Sequence, residues 1–404
     1  MNFDENDNEV WEQHTASFNS FSEYWSDFMK NPTWYNCHPI FVHPDIMDLI
    51  RLDLNLLLLN KYSQQDQDSI NEWKTFFEGS STESLKEKLV EFIGTCPDDN
   101  SAFKNTRRFH QGWWRTFVLS QAQGTFFENG TPKTVCNRIN NGENENFLSD
   151  NIFLAVRKTI EERMDSKVGI IEEGRLFNNL LSSQPLAFNF FGEFKINTDL
   201  ATQFFNKLFP EITEVYEVCF EYPYKENYTK DHSAFDVAIH VKSGQKKGLI
   251  GFECKYTDSF SFRPSNAKVN YGDNGSKNHD NYKQIFDKSK SRHFINDYYK
   301  YVRDNNLNQL FRNELIGQSL FQNQHFDFIQ TGLFCDPEDE KALNSGRKLQ
   351  RMIGDQTNFR ILTYNEFIEI FQRLDLQPKE RELSMLLWAR YCGFPLSKSL
   401  YKTK

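Results

Sequence analysis

The stretch SAFDVAIHVKSGQKKGLIGFECKYT, residues 233–257, decides the fold class. It holds two apolar segments whose side chains alternate as in β-strands, and the polar run between them contains Gly244. The apolar face of the first segment is predicted to hold Phe235, Val237, Ile239 and Val241. The other face of that segment then holds Asp236, Ala238 and His240. A glycine in a short polar connection indicates a β-hairpin.

The second segment places its two charged residues together. Ile250, Phe252, Cys254 and Tyr256 share one face, which leaves Glu253 and Lys255 on the opposite face. If the segments pair as a hairpin, Asp236 and Glu253 point into one space with Lys255 beside them. Two carboxylates are ligands that Mg²⁺ prefers, and the backbone carbonyl of Cys254 is a candidate third ligand. Lys255 is then placed to hold or deprotonate a water and to balance transition-state charge.

The order of elements around this hairpin predicts an α/β protein. Helical periodicity covers residues 147–186 and is followed by strands at 214–224, 234–242 and 248–257. A loop-rich basic segment comes next, and then a helix at 308–322, a strand at 326–335 and a strand with a helix at 359–374. The core is therefore predicted as helix, three strands, helix and strand.

These motifs resemble the D-(x)n-(D/E)-x-K signature of the PD-(D/E)XK nuclease superfamily, which has a restriction-endonuclease-like fold. LLSSQPLAFNFFGEF (180–194), FEYPY (220–224), SAFDV and GFECKYT are similar to a little-characterised branch of that superfamily. The resemblance covers residues 150–370, and the strict Pro-Asp pair is absent because Phe235 precedes the acid. It implies an Mg²⁺- or Mn²⁺-dependent endonuclease acting on double-stranded DNA, in restriction or antiviral defence.

Further side chains are candidates for the same site. Glu221 is expected on the acidic face of its strand, opposite Phe220 and Tyr222, either as an additional carboxylate or as a solvated one. Gln184 lies in the Ser-Ser-Gln segment and is favoured as functional. Glu173 is expected to be an exposed helix residue.

Three other residues have a structural role as the alternative to a functional one. Arg312 and Gln318 on the 308–322 helix could contact phosphate or water, although such residues commonly serve solubility. His110 lies close to Trp113 and Trp114, and this group is predicted to be a core or domain-contact cluster rather than a catalytic one.

The net charge of −9 is unevenly distributed. Residues 1–100 hold 6 Lys and Arg against 19 Asp and Glu, a net charge of −13, whereas residues 242–303 hold 13 against 6, a net charge of +7. The basic stretch could neutralise phosphates, and its aromatic residues could stack on bases or act as plain anchors. Those aromatic residues are Tyr256, Phe262, Tyr271, Tyr282, Tyr298, Tyr299 and Tyr301.

Length and pattern suggest three regions: a mainly helical N-terminal region at 1–147, a nuclease-like core at 148–375 and a C-terminal helical tail at 376–404. In the first region, apolar residues at three-to-four spacing predict helices at 43–62 and 82–93. No apolar run approaches the roughly 20 residues of a membrane helix, and the acidic start lacks a basic signal-peptide segment, so a cytoplasmic protein is expected. The seven cysteines form no CxxC pair and are expected to be reduced thiols.

Two classes of function remain open at this level. The first is a DNA endonuclease, and the second is a nucleic-acid-binding or regulatory module that keeps the fold without cleavage. The acidic N-terminal region could form a homodimer, contact a partner protein, restrain the core or serve as a structural cap.

Overall fold

A computed structural model describes residues 82–401, apart from residues 120, 141, 164–170, 223, 225, 232, 259, 261–268, 291 and 399. The helical pattern at 43–62 and most of the acidic N-terminal region lie outside the described residues. The described chain forms two compact units. Unit 1 comprises residues 82–148, 177–181 and 371–401, and unit 2 comprises residues 149–176 and 182–370. The division into three regions, with boundaries after residues 147 and 375, stays a prediction.

Unit 2 is built on a five-stranded mixed sheet. Its strands, in spatial order, are β3 (Glu214–Tyr222), β4 (Phe235–Ser243), β5 (Lys246–Lys255), β6 (Phe328–Cys335) and β7 (Phe359–Thr363). The first three strands are antiparallel, and β5, β6 and β7 run parallel. The predicted hairpin is confirmed, because Ser243 pairs with Lys246 and Gly244 adopts a φ of 60° in the turn. A positive φ of this kind is easily adopted by glycine.

Helices cover both faces of this sheet. In chain order they are α3 (Asp150–Arg163), α4 (Glu173–Leu176), α5 (Ser183–Ile196), α6 (Thr198–Leu208), α7 (His279–Ser289), α8 (Tyr298–Val302), α9 (Asn308–Gln322), α10 (Glu340–Gln350) and α11 (Tyr364–Gln372). The α/β prediction is confirmed, including the predicted helix at 308–322. Helices α7 and α8 lie where the sequence predicted a loop-rich segment, so that prediction is wrong there.

Helix α5 packs on one face through phenylalanines. Phe188 stacks on Phe220 of β3 with ring centroids 4.1 Å apart, and Phe191 stacks on Phe252 of β5 at 5.8 Å. Ser182 caps this helix by accepting a hydrogen bond from the amide of Gln184 at 3.3 Å. All residues from Pro185 to Phe194 are buried, so α5 is an internal helix, and the contact between Gln184 and Glu221 places its N-terminus beside the end of β3.

Helix α9 packs on the opposite face of the sheet. Ile316 and Leu320 of this helix contact a buried cluster that includes Ala238 of β4 and Leu249 of β5. Helices α7, α8 and α10 enlarge the apolar layer on the same side through residues such as Phe286, Tyr301 and Leu349. The sheet is therefore buried on both faces, and a polar side chain in its centre requires a polar partner.

Phe235 departs from the predicted alternation. It packs in the cluster with Ala238 and Leu249, rather than with Val237 and its neighbours. A Cβ atom added at Gly251 would meet a Phe235 ring atom at 2.4 Å. The missing side chain at Gly251 thus provides the space that the Phe235 ring fills at the start of β4.

Unit 1 combines helices with a short hairpin. Its elements are α1 (Thr82–Ile93), α2 (Ala102–Trp113), a π-helical turn (Trp114–Val118), β1 (Gly124–Glu128), β2 (Thr131–Val135), α12 (Pro378–Leu387), a second π-helical turn (Trp388–Cys392) and α13 (Phe394–Lys398). The helical prediction at 82–93 is confirmed, whereas the β1–β2 hairpin was not predicted. No helix among the described residues is long and apolar enough to cross a membrane.

The HQGWWR segment forms the centre of unit 1, as predicted. His110, Trp113 and Trp114 are all almost fully buried. The His110 ring contacts the Ser397 hydroxyl at 2.9 Å and the Ala389 carbonyl at 2.8 Å. Burial lowers the pKa of His110 to about 3, so the ring is neutral and has a structural role.

The expectation of reduced cysteines is wrong for one pair. Cys96 and Cys136 are joined in a disulfide across 40 residues, with their Cα atoms 5.3 Å apart. Cysteine spacing does not predict this pair. Cys96 follows α1 and Cys136 follows β2, and only tertiary packing brings these two segments together.

Candidate active site

Three carboxylate residues occupy matching positions on three adjacent strands. Cys219 pairs with Ala238, and Ala238 pairs with Gly251. Extending these antiparallel pairings by two residues places Glu221 of β3, Asp236 of β4 and Glu253 of β5 side by side. Glu253 lies on the face of the sheet that α9 covers, where Asn313 contacts it, whereas Glu221 contacts Gln184 of α5. The hairpin therefore brings Asp236 and Glu253 together, as the sequence predicted.

Asp236 lies at the centre of this row. One of its carboxylate oxygens accepts a hydrogen bond from the amide of Cys254 at 2.6 Å. Desolvation raises the pKa of Asp236 well above its ordinary value, and the negative charges of Glu253 and Glu221 raise it further. Burial and the like charges of Glu253 and Glu221 together outweigh the opposing effects of Lys255 and the Cys254 amide.

Glu253 and Lys255 form a buried ion pair on β5. Lys255 Nζ lies 2.9 Å from Glu253 Oε1, and both residues are at most 5% exposed. The ammonium group also donates to Gln309 Oε1 at 2.9 Å and lies 5.0 Å from the centroid of the Phe260 ring. Burial alone would lower the pKa of Lys255, but Glu253 and Asp236 outweigh it and raise the pKa. Lys255 is therefore a charged hydrogen-bond donor.

Helix α9 holds the second oxygen of Glu253. Asn313 Nδ2 donates to Glu253 Oε2 at 2.7 Å. Gln309 and Asn313 are four residues apart, so they lie on one face of α9 and contact Lys255 and Glu253 as a pair. Sequence reasoning missed both and named Arg312 and Gln318 of the same helix instead. The sequence feature that could have identified Gln309 and Asn313 is the i, i+4 spacing of their amide side chains in the predicted helix.

Glu221 reaches the site through an unusual backbone conformation. Its φ is 46°, in the left-handed region that a side-chain-bearing residue adopts at a cost of about 1 kcal/mol or more. Burial raises the pKa of Glu221 to about 7, and Gln184 Nε2 donates to its carboxylate at 3.3 Å. Gln184 therefore contacts Glu221, whose negative charge acts on Asp236. Tyr222 packs against the cluster that contains Cys219, whereas Phe220 stacks on Phe188 of α5, so the prediction that Phe220 and Tyr222 share one face is wrong.

The remaining candidates lie outside this group or beside it. Glu173 is exposed on α4, as expected. Arg312 donates to the Ser233 hydroxyl at 3.2 Å, and its guanidinium lies 4.8 Å from the Tyr271 ring centroid. It therefore supports the loop before β4 rather than presenting a group to the carboxylates. Gln318 is half-buried on α9.

Asp231 organises that same loop. Its carboxylate accepts hydrogen bonds from the hydroxyls of Thr229 and Ser233, each at 2.7 Å, and from the Tyr282 hydroxyl of α7. These contacts lower the pKa of Asp231 despite the opposing effect of burial. The loop that joins Glu221 to Asp236 is thereby fixed to α7 and α9.

The aromatic residues of the basic segment are largely structural. Four of the seven that were considered for base stacking are buried. Tyr282, Tyr298 and Tyr301 lie in the apolar layer on the α9 side, and Tyr256 packs against Tyr364 of α11. The stacking expectation is wrong for these four because their rings fill the core. Tyr271 and Tyr299 are half-buried, and Phe262 lies outside the described residues.

The basic surface itself is partly neutralised. A groove on α7 and α8 is lined by Lys283, Lys290, Lys300 and Arg303 among others. Lys283 pairs with Asp287 at 2.5 Å, and Arg303 pairs with Asp273 at 3.0 Å. A phosphate that binds there must compete with these carboxylates.

The residues present fit a divalent cation. Asp236 and Glu253 offer hard oxygen ligands beside Lys255, and Glu221 lies near the positive charges of Arg175 and Arg163. An added divalent charge would relieve the repulsion that raises the pKa of Asp236. The backbone carbonyl of Cys254 stays a predicted third ligand.

The fold and this carboxylate–lysine group define an α/β protein with a charged centre between the sheet and α9. Comparison with protein-family models matches residues 97–393 to the PD-(D/E)XK nuclease superfamily. The match spans more than half of the chain, and the chain belongs to this superfamily. No curated protein and no solved structure gives a significant match. Members of the superfamily are generally metal-dependent nucleases, which act on nucleic acids.

Proposed function

We propose that this protein is an endonuclease that hydrolyses phosphodiester bonds of double-stranded DNA with Mg²⁺ or Mn²⁺. The observation that carries the proposal is the buried Glu253–Lys255 ion pair aligned with Asp236 across the β4–β5 hairpin. A role in restriction or antiviral defence is the implication of the family resemblance.

The roles of the residues follow from their chemistry. Asp236 and Glu253 would hold the cation, which when bound polarises the phosphate and lowers the pKa of a water. The charged Lys255 donates a hydrogen bond to the attacking water or to a phosphate oxygen and offsets the negative charge that develops at phosphorus. Water supplies the oxygen that bonds to phosphorus as the bond to the leaving oxygen breaks. Glu221 and Gln184 border Asp236 and shape the space for the phosphate.

The surrounding protein limits motion of these groups. Asn313 and Gln309 fix the orientation of Glu253 and Lys255 from α9, and the amide of Cys254 fixes Asp236. Preorganised donors and charges of this kind favour a transition state without reorganisation at the moment of reaction. A protein that only binds nucleic acid has no need to bury a lysine among carboxylates, since burial of charge costs free energy.

The test is a cleavage assay with purified full-length protein. Supercoiled plasmid, linear duplex, single-stranded DNA and RNA are incubated with Mg²⁺, with Mn²⁺ or with EDTA. Nicking or linearisation of plasmid that requires the cation and is absent with EDTA supports the proposal. Cleavage of RNA but not of DNA would identify RNA as the substrate. Binding of DNA with no cleavage under any of these conditions would favour the alternative, a binding or regulatory module.

A further inference from the structure

A second group of metal-ligating side chains lies on the same face of the sheet, apart from the carboxylate row. Glu217 of β3 pairs with His240 of β4, and Cys219 is two residues further along β3. Among the described residues, the ligand atoms of these three all lie within 4.8 Å of one another. Glu217 Oε2 and His240 Nδ1 are 2.7 Å apart.

The imidazole of His240 is held in a defined orientation. Its Nε2 lies 3.4 Å from the Tyr224 hydroxyl, so Nδ1 faces Glu217. The rings of Tyr224 and Phe326 lie 6.3 and 5.3 Å from the imidazole, measured between ring centroids. A hydrogen-bond partner on one ring nitrogen fixes the tautomer in which the other nitrogen can bind a metal.

Solvent reaches this group of three residues from the side of Glu217. Cys219 and His240 are buried, whereas the Glu217 side chain is 52% exposed on the edge strand. An ion could therefore enter beside Glu217 and reach the thiol and the imidazole. Tetrahedral zinc places its ligand atoms about 3.3 to 3.8 Å apart, given bond lengths of roughly 2.0 to 2.3 Å. The exposed Glu217 side chain can rotate to bring its separation from His240, which is 2.7 Å, into that range.

The donor set separates this group from the catalytic candidate. A thiolate, an imidazole and a carboxylate suit Zn²⁺, whereas an all-oxygen set suits Mg²⁺. We propose that Glu217, Cys219 and His240 bind one Zn²⁺ ion with water in the fourth position, joining edge strand β3 to β4. The Cys219 proton passes to solvent when the thiolate binds. Because Cys219 lies two residues before Glu221, the ion would stabilise the strand that carries Glu221.

Cobalt substitution gives a direct readout of a thiolate ligand. Full-length protein with the Cys96–Cys136 disulfide intact is stripped with a chelator and titrated with Co²⁺. We expect a near-ultraviolet thiolate-to-cobalt band and visible bands of a tetrahedral ion, both complete at one equivalent and both displaced by Zn²⁺. Cys219→Ser should abolish the thiolate band, and Glu217→Gln should weaken binding. Cys392→Ser alters a half-exposed thiol in unit 1 and should leave the spectrum unchanged.

Further measurements separate this site from the catalytic candidate and from misfolding. Asp236→Asn should retain the thiolate band, because its oxygen ligands belong to the other group. One equivalent of Zn²⁺ should raise the Tm of the wild-type protein but not that of Cys219→Ser, with both proteins folded by circular dichroism. A folded wild-type protein without a thiolate band, or a band that survives in Cys219→Ser, would overturn the proposal.

Discussion

Asn313 Nδ2 on helix α9 donates a hydrogen bond to Glu253 Oε2 at 2.7 Å, although the two residues are 60 positions apart in the chain. Removal of this amide should free Glu253 to rotate away from the cation site. We expect Asn313→Ala to weaken Mg²⁺ affinity or activity by about 10- to 100-fold, as is typical when a partner of a metal ligand is lost. The measurement is the cleavage rate against Mg²⁺ concentration.

The matched control for that prediction is Gln318→Ala, which removes a half-buried amide from the same helix. Its Mg²⁺ dependence should match that of the wild type. Wild-type rates and Mg²⁺ dependence in a folded Asn313→Ala protein would show that α9 does not position Glu253.

Isosteric changes test the three central residues. Asp236→Asn and Glu253→Gln remove a carboxylate charge with little change in shape, and Lys255→Met removes the ammonium group. Each should lower the cleavage rate by at least about 10³-fold, because each removes a group that acts on the transition state. Glu214→Gln changes an exposed carboxylate on β3 and should leave the rate unchanged. Full activity in any one of the three folded variants would exclude that residue from the catalytic group.

Lys255→Met should also reveal the electrostatic role of the lysine. Without it, Glu253 would lose its buried ion-pair partner, and breaking such a pair costs about 3 to 5 kcal/mol. We expect a lower free energy of unfolding, measured by urea denaturation, and partial recovery of stability in Lys255→Met/Glu253→Gln. A double variant no more stable than the single one would contradict this coupling.

The exposed lysines of α7 and its flanks test the nucleic-acid surface. Charge reversal at Lys277, Lys283, Lys288 and Lys290 should weaken duplex binding and reduce the slope of log affinity against log salt. Fluorescence anisotropy at several salt concentrations measures both quantities, with catalysis suppressed by EDTA. Reversal of four exposed basic residues elsewhere, including Lys158 of α3, is the control. Equal losses in the two variants would indicate a general charge effect and no defined surface.

The buried imidazole of His110 predicts a pH dependence of stability in unit 1. Its folded-state pKa of about 3 lies below the ordinary histidine value of 6.5, so the unfolded chain binds the extra proton first as pH falls. The contribution of His110 is fully present above pH 6.5 and is lost toward pH 3, by up to about 1.4 kcal/mol per pH unit. The stability difference between wild type and His110→Gln should therefore shrink between pH 7 and pH 4.5.

Tryptophan fluorescence suits that measurement because residues 149–370 contain no Trp, whereas Trp113, Trp114 and Trp388 lie in unit 1. His325→Gln, a change at an exposed histidine, serves as the control. A stability difference between wild type and His110→Gln that stays constant over this pH range would contradict the prediction.

The sequence by itself determined the core of the sheet and its central charged residues. Strand alternation over residues 233–257, with a turn at Gly244, is enough to place Asp236, Glu253 and Lys255 on one side of a hairpin. The helix at 308–322 was also predicted from the sequence. Such features can be read from sequence because they depend on side-chain periodicity and on pairing between segments close in the chain.

Tertiary structure decided which other groups complete and surround the site. Gln309 and Asn313 reach Lys255 and Glu253 only because α9 packs over the strand ends, and Glu221 turns toward Asp236 through a left-handed backbone. Packing also buried tyrosines that sequence reasoning considered for stacking on bases, among them Tyr282 and Tyr301, and joined Cys96 to Cys136. The physical reason is the same in each case. These contacts join residues distant in sequence, and their geometry is set by how buried helices and strands fill space together, which periodicity within a single segment does not specify.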